Sequence, residues 1–291
     1  MNVLVTGGAG FIGSHLAEAL INRGDSVIVA DDLSTGSLDN IAHLQGAGAN
    51  LQFIRESVCN VPAMTDAIGR CDVIFHLAAA VGVKLIAEDP VRTIETNIHG
   101  SQVILDLASR LKRKVLIASS SEVYGKGTKA PFREDDDVTL GSTRFSRWSY
   151  ACSKMAEEFL ALAHHDQFAL PVVICRLFNT IGPRQTGRYG MVVPRFIRWA
   201  LAGEPIEIYG TGRQSRCFLH VRDVVAALLA LMDCRSAVGQ VVNAGSEEHV
   251  TIEELADIVI KLTGSTGGKR HLSYEEATAG PWTTSSSACR T

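Results

Sequence analysis

No stretch of the chain reaches the ~18 consecutive apolar residues that a membrane-crossing helix needs, which excludes a helical membrane protein. Nor is there an excess of cations. With 28 Lys and Arg against 31 Asp and Glu the formal net charge is -3, and no basic field exists of the kind nucleic-acid binding needs. Small-molecule partners are favoured, with neither nucleic acid nor membrane among them. The seven cysteines, Cys59, Cys71, Cys152, Cys175, Cys217, Cys234 and Cys289, form no C-x-x-C pair. That argues against zinc knuckles and redox dithiols and leaves reduced core thiols as the expectation. No metal site is indicated, and no internal repeat is present. Met1 runs almost at once into a strand-like segment instead of a charged and then apolar leader, so a cytoplasmic location is expected.

What is present is enough apolar material for one large α/β unit: 46% of 291 residues are hydrophobic and 20% charged. Short β-branched runs at Val3–Val5, Ser26–Val29, Asp72–Phe75, Lys114–Ile117 and Val172–Ile174 alternate with helical-period stretches at Ser14–Arg23, Arg92–Leu111 and Ser149–Phe168. This βαβ rhythm predicts a Rossmann-type, doubly wound parallel sheet over residues 1–178. Beyond Asn179 the rhythm loosens. Helices are expected at Val193–Ala202, Asp223–Met232 and Ile252–Thr263, and loops at Arg184–Tyr189 and Glu207–Arg213. Residues 179–276 therefore read as a smaller, irregular substrate-binding region that re-enters the sheet at some point. Residues 277–291, rich in Thr, Ser and Ala, read as an unstructured tail.

Gly7, Gly10 and Gly13 stand at G-x-x-G-x-x-G spacing between the first strand and the first helix. Gly7 suits the tight turn, Gly10 the approach of a pyrophosphate to the backbone, and Gly13 close helix packing, with the helix N-terminus facing the phosphates. Roughly 20 residues on, Asp31 ends the second strand, where a carboxylate accepts from ribose hydroxyls and repels a 2′-phosphate, so NAD is expected over NADP. His76-Leu77-Ala78-Ala79-Ala80 closes a later strand with small side chains, which suits either a backbone under a cofactor or simple core packing.

Tyr150 and Lys154 lie four residues apart, hence on one helix face. A cation beside a phenol lowers its pKa, which would make Tyr150 a base for a substrate hydroxyl while hydride leaves for the nicotinamide. Ser120, in Ser119-Ser120-Ser121-Glu122, follows the strand at Lys114–Ile117 at the ligand-binding edge of such sheets, where a hydroxyl can complete a proton relay. His220 and Asp223 are expected to open a helix rather than to bind metal, and His164-His165 to be exposed.

Taken together, the motifs TGGAGFIG, DDLSTG, HLAA, SSSEVYG, YACSK, RLFNTIGPR and RCFLHVRDV, spread over Met1 to Tyr274, resemble the extended short-chain dehydrogenase/reductases, which include nucleotide-sugar epimerases, dehydratases and decarboxylases. The resemblance implies Tyr150 as base, Lys154 as its electrostatic partner and Ser120 as the hydroxyl that bonds the substrate. NAD would be held by Gly7, Gly10, Phe11, Ile12, Gly13 and Asp31. Asp32, Ser34, Thr35 and Gly36 would continue that contact, and so would Ser57, Val58, Leu77, Ala78, Ala79 and Asn97, besides Tyr150 and Lys154. Asn179, Val192 and Arg216 would hold the nucleotide diphosphate, a UDP-sugar by resemblance. Arg184 and Arg188 are candidates for a sugar carboxylate or else solvated loop charges.

Members of this family first oxidise C4 to a ketone, and the Ser121-Glu122 pair bears on the fate of that ketone. UDP-glucuronate decarboxylation ranks first, because the Ser-Glu pair and the segments Arg147-Trp148-Ser149-Tyr150 and Arg216-Cys217-Phe218 resemble bacterial decarboxylases; in that chemistry a 4-ketone turns the C6 carboxylate into a β-keto acid and Ser121 or Glu122 can manage the proton returned to C5. A 4-epimerase ranks next and a 4,6-dehydratase third. Lower still stand a dinucleotide-sensing protein without turnover and an oxidoreductase with net NAD turnover; the retained Ser120, Tyr150 and Lys154 count against the sensor. A homodimer through the helices at Arg92–Leu111 and Ser149–Phe168 is implied. The family pattern fades after Ala277, which suggests a truncated or frame-shifted C-terminus.

Overall fold

A computed structural model describes residues 1–46, 50–81, 89–127, 131–187, 191–273 and 275–276. Its strands are β1 (Asn2–Thr6), β2 (Ser26–Ala30), β3 (Leu51–Ile54), β4 (Val73–His76), β5 (Lys114–Ser120), β6 (Val172–Leu177), β7 (Thr180–Ile181), β8 (Ile206–Tyr209), β9 (Ser215–Cys217), β10 (Leu219–His220), β11 (Val241–Ala244), β12 (His249–Thr251) and β13 (Lys269–Leu272). The helices are α1 (Phe11–Asn22), α2 (Val61–Gly69), α3 (Pro90–Leu111), α4 (Trp148–Phe168), α5 (Val192–Leu201), α6 (Val221–Asp233) and α7 (Ile252–Thr263).

Seven strands form one sheet in the order β11-β6-β5-β4-β1-β2-β3, with every pairing parallel. The strands are nearly continuous apolar runs because both faces are covered. Val3 and Val5 point into a core shared with Leu16 and Leu20 of α1 and with Val224 and Leu228 of α6. Leu4, between them in sequence, points to the opposite core with Ile104 of α3 and Ala161 of α4. The direction of winding reverses between β1 and β4, and a ligand crevice opens at the carboxyl ends of strands at such a reversal.

A third cluster, with Phe196 of α5, Ile206 and Ile208 of β8, and Leu255 and Val259 of α7, is the core of the smaller region. The chain does re-enter the sheet, at β11. Part of the expected loop at Glu207–Arg213 is strand: Ile206–Tyr209 pairs in parallel with Lys269–Leu272, since Ile206 and Ile208 alternate inward at period two. The tail at 277–291 lies outside the described residues.

Two further expectations fail on packing grounds. His164 is buried, not exposed, because the α3–α4 interface covers it and supplies Ser109, whose hydroxyl lies 2.8 Å from its Nδ1. Of the cysteines in the described residues only Cys71 and Cys175 are buried; Cys152 is exposed, and Cys59, Cys217 and Cys234 are half-buried. His220 does open α6, its side chain accepting from Arg222 N–H, with Asp223 in the first turn. No helix of the described residues is long and apolar enough to cross a membrane, and no metal-binding cluster is found among them.

Candidate active site

The turn after β1 is built around backbone that leaves little room for side chains. Gly7 has φ +69°, and a Cβ there would lie 2.8 Å from Ala78 N; a Cβ on Gly13 would sit 2.2 Å from Gly7 O. Gly10 differs, since a Cβ there would meet only Gly7 O, at 3.1 Å. The backbone at Gly10 thus faces open space at the N-terminus of α1, where no side chain caps the free N–H groups. Phe11 and Ile12 are half-buried in this first turn. A negatively charged pyrophosphate fits such a cradle.

Asp31 leaves the end of β2 and lies beside this turn. Its carboxylate accepts from Ala9 N–H at 3.0 Å and Leu33 N–H at 2.8 Å, and burial pushes its pKa up against the pull of these donors. Two backbone donors leave further lone pairs for ribose hydroxyls. Gly36 packs against Ala9 and Asp31, whereas Asp32 is exposed, accepts from Ser34 N–H and stands 3.8 Å from Arg92. Thr35 is half-buried in the same loop.

Across the reversal, Leu77 and Ala78 pack under Gly7. Ala79 continues this segment, and Asn97 of α3 pins the next residue by accepting from Ala80 N–H at 2.8 Å. Asn97 also donates to Ser153 at 3.0 Å, so it ties this loop to the catalytic helix. Ser57 accepts from Cys59 N–H, and Val58 is buried where a Cβ on Gly100 would strike it. These residues fit NAD: the cradle, the ribose carboxylate and the small-residue floor are contiguous. Gly13→Ala is expected to lose bound NAD, because the clash is with backbone. Cofactor released from purified protein by denaturation and quantified by chromatography checks this; wild-type occupancy would count against the cradle.

Tyr150 and Lys154 of α4 face the end of β5. Tyr150 is buried beside Ser120, whose Oγ accepts from Glu122 N–H at 3.2 Å. Ser120 caps the short 3₁₀ turn Ser121–Tyr124, on which Ser121 is half-buried and Glu122 exposed. Lys154 is buried and donates to Ala118 O at 2.9 Å and to Glu157 at 2.7 Å. The expected lowering of the phenol pKa is reversed. Burial raises it by more than the Lys154 charge lowers it, and Glu157 acts in the same upward direction. For Lys154 itself burial works toward deprotonation, but Glu157, Tyr150 and Glu158 together outweigh it and the ammonium is held above its ordinary value.

Behind this pair lies a second buried ion pair, Arg176 of β6 with Glu158, at 2.8 Å and bidentate. Glu158 also accepts from Ser119 at 2.5 Å, and Arg176 donates to Tyr124 OH at 2.9 Å, so the pair fixes both ends of the turn bearing Ser120.

On the substrate side the expected residues are less gathered. Asn179 is exposed and donates to Cys217 O at 3.0 Å; Arg216 is exposed on β9; Val192 begins α5. Arg184 does not stand free for a carboxylate. Its guanidinium holds Glu18 of α1 at 2.5 Å, with Ser14 and His43 beside it, so the loop after β7 is clasped to the dinucleotide-binding helix. Arg188 lies outside the described residues. Sequence reasoning missed Glu157, Glu158, Glu18 and Ser101. The signal for the first two was available, since positions three and four beyond Lys154 share its helix face.

A UDP-N-acetyl-alpha-D-glucosaminuronate decarboxylase of Bacillus cytotoxicus is 46% identical to this chain over 274 residues, covering 94% of this chain and 84% of that protein. UDP-glucuronic acid decarboxylase 1 of Arabidopsis thaliana is 38% identical over 259 residues; the match spans 89% of this chain and 58% of that protein. Among solved structures, UDP-glucose 4-epimerase of Thermotoga maritima superposes with a TM-score of 0.85 at 31% identity, over 94% of this chain and 86% of that one. UDP-glucuronic acid 4-epimerase of Bacillus cereus, solved with UDP-glucuronic acid and NAD, gives 0.84 at 32% identity, over 94% and 86%. Residues 3–245, which contain the glycine turn, Asp31, Ser120, Tyr150 and Lys154, match one family profile. The chain belongs to the NAD dependent epimerase/dehydratase family, and it is an enzyme that uses NAD.

Proposed function

We propose that this enzyme decarboxylates a UDP-hexuronate, UDP-glucuronate or its 2-acetamido counterpart, through a transient 4-keto sugar. The observation that carries the reading is the 46% identity to a decarboxylase over nearly the whole chain, together with the Ser120/Tyr150/Lys154 constellation. Bound NAD would lie on the Gly7–Gly13 turn and Asp31, and would supply a reversible hydride acceptor at C4.

Tyr150 takes the C4 hydroxyl proton as the C4–H bond gives up its hydride, with Ser120 holding the same oxygen and Lys154 offsetting the phenolate charge. The resulting β-keto acid loses CO2 when the C5–C6 electron pair flows toward the C4 oxygen, which Ser120 and protonated Tyr150 stabilise by hydrogen bonding. C5 then takes one proton, for which exposed Glu122, on the turn after Ser120, is the nearest acid in sequence. When hydride returns to C4, Tyr150 gives its proton back to the oxygen. The balance is one proton consumed and one CO2 released, with no net oxidation.

Asn179, Val192 and Arg216 are proposed to hold the UDP moiety. A cytoplasmic location and a homodimer through α3 and α4 are proposed on the same resemblance. A 4-epimerase is the second reading, favoured by the engagement of Arg184 with Glu18, which leaves that guanidinium unavailable to a carboxylate. Purified protein is incubated separately with UDP-glucuronate, UDP-N-acetylglucosaminuronate and UDP-glucose, and products are followed by mass spectrometry and proton NMR. Loss of CO2 from either uronate is the expected result. A mass-neutral inversion at C4, without CO2 loss, would overturn the decarboxylase reading in favour of the epimerase.

A further inference from the structure

Beneath Lys154 runs a line of buried polar side chains that the reaction above does not use. Glu157 lies one turn along α4 with its two oxygens divided: Oε2 takes Lys154 Nζ at 2.7 Å and Oε1 takes the hydroxyl of Ser101 from α3. The Ser101 oxygen meets His76 Nε2 at 2.9 Å, and His76 Nδ1 meets Thr6 Oγ1 at 2.8 Å. Thr6, the last residue of β1, in turn accepts from Ala78 N–H at 3.2 Å. All of Thr6, His76, Ser101, Lys154 and Glu157 are buried.

The proton inventory gives this line a direction. Ser101 has one proton and gives it to Glu157, so its oxygen accepts from His76 Nε2–H. His76 is neutral, its pKa pushed down to about 3 by burial, with Lys154 acting the same way. Its Nδ1 is then the acceptor for Thr6. Each link points its proton toward the Glu157 carboxylate. Burial raises that carboxyl's pKa on balance, with Lys154 and Ser101 pulling against it; a donor on each oxygen, Lys154 Nζ on Oε2 and the Ser101 hydroxyl on Oε1, is the arrangement that favours a carboxylate.

We propose that Glu157 is the fixed counter-ion of Lys154, a positioning residue whose orientation is set from the dinucleotide turn through Thr6, His76 and Ser101. The consequence is a lysine that stays charged and aimed while wholly desolvated, supported from beneath by the β-strands that carry the cofactor cradle. The groups facing it are Tyr150 and Glu158 from its own helix, Ser101 from α3, His76 from β4 and the Ala118 carbonyl from β5; Glu122 acts on Tyr150 from outside. Without Glu157, the Ala118 carbonyl, Glu158 and the phenol would be left, among the described residues, to oppose the cost of burying the ammonium.

This role rests on the proposed use of Tyr150 and Lys154, so its test is independent of substrate. In holoenzyme carrying ¹³C-labelled lysine, the Lys154 side-chain resonance, assigned by its loss in Lys154→Met, is followed by NMR across the pH range in which the protein stays folded. Wild-type Lys154 is expected to remain protonated throughout. Glu157→Gln, which keeps the volume, is expected to lose the proton within that range, whereas Glu157→Asp, which keeps the charge, retains it. The opposite order, or no difference, would overturn the assignment. With a turned-over substrate in hand, Glu157→Gln should lower kcat by roughly tenfold or more while KM stays within about twofold; an inert wild type with the titration as expected would sink the reaction and spare the counter-ion. Should Glu157→Gln not fold, adding Lys154→Met decides: recovery of folding marks the lone ammonium as the cause, and no recovery marks lost packing and overturns the proposal.

Discussion

Tyr150→Phe lowers kcat by roughly 10²–10⁴-fold and leaves NAD bound. The loss follows from the site: the phenol stands beside Ser120 and the Lys154 charge, and phenylalanine fills its buried position while removing the proton acceptor. NAD content is expected to hold because the turn at Gly7–Gly13 and Asp31 is untouched. In the parent enzyme the acid side of the kcat/KM profile reports the phenol. Protonated Tyr150 is no base, so activity falls as pH drops, and the burial that raises this group moves the fall toward higher pH. Steady-state kinetics over pH, paired with cofactor quantification, reads both. A Phe variant within about threefold of the parent rate would remove Tyr150 from the chemistry.

Glu158→Ala costs about 3–5 kcal/mol of folding stability, the usual loss when one partner of a buried ion pair is deleted and the other stays uncompensated. Here the survivor is Arg176, whose side chain is 7% exposed and which, among the described residues, retains Tyr124 and the Glu134 carbonyl as acceptors. Ser119 loses its acceptor as well. Urea unfolding gives the difference directly, and a loss under about 1 kcal/mol would show that the guanidinium finds water on mutation. Replacing both residues by Leu should recover most of the loss, since apolar pairs of similar volume do about as well as buried ions. The single variant is expected to lose activity beyond its instability, because the pair anchors the turn holding Ser120.

Much of this was legible in the chain. The helix expected at Ile252–Thr263 is found with those limits, closed by a Thr251–Glu254 capping box at its start, and the glycine turn, Asp31, Ser120, Tyr150 and Lys154 stand together at the carboxyl edge of the sheet. Such features are local: spacing, β-branching and glycine requirements act within a few residues. The strands β3, β8, β11 and β13 escaped detection because they are four residues long and take their identity from a partner far along the chain, as Val241 does from Ile174. The electrostatics of Tyr150 were also hidden. Spacing says that a lysine is near; it cannot say how much water is excluded or that a carboxylate faces the same lysine from the next turn. Arg184 shows the same limit, its partner Glu18 lying 166 residues away.

The re-entry of the chain at β11 has a bearing on synthesis. By the time residue 177 has left the ribosome, six of the seven sheet strands exist, and the outer rim of β6, apolar over Val172–Cys175, is unpaired. Its neighbour is not made until residues 241–244, at translation rates several seconds later, and the helix α6 that covers the same side arrives only just before. During that interval the nascent sheet presents an apolar parallel edge to its surroundings, the kind of surface that templates association between chains. Yield of soluble protein should therefore depend on events in that window, such as chaperone supply or growth temperature, more than on the stability of the finished enzyme.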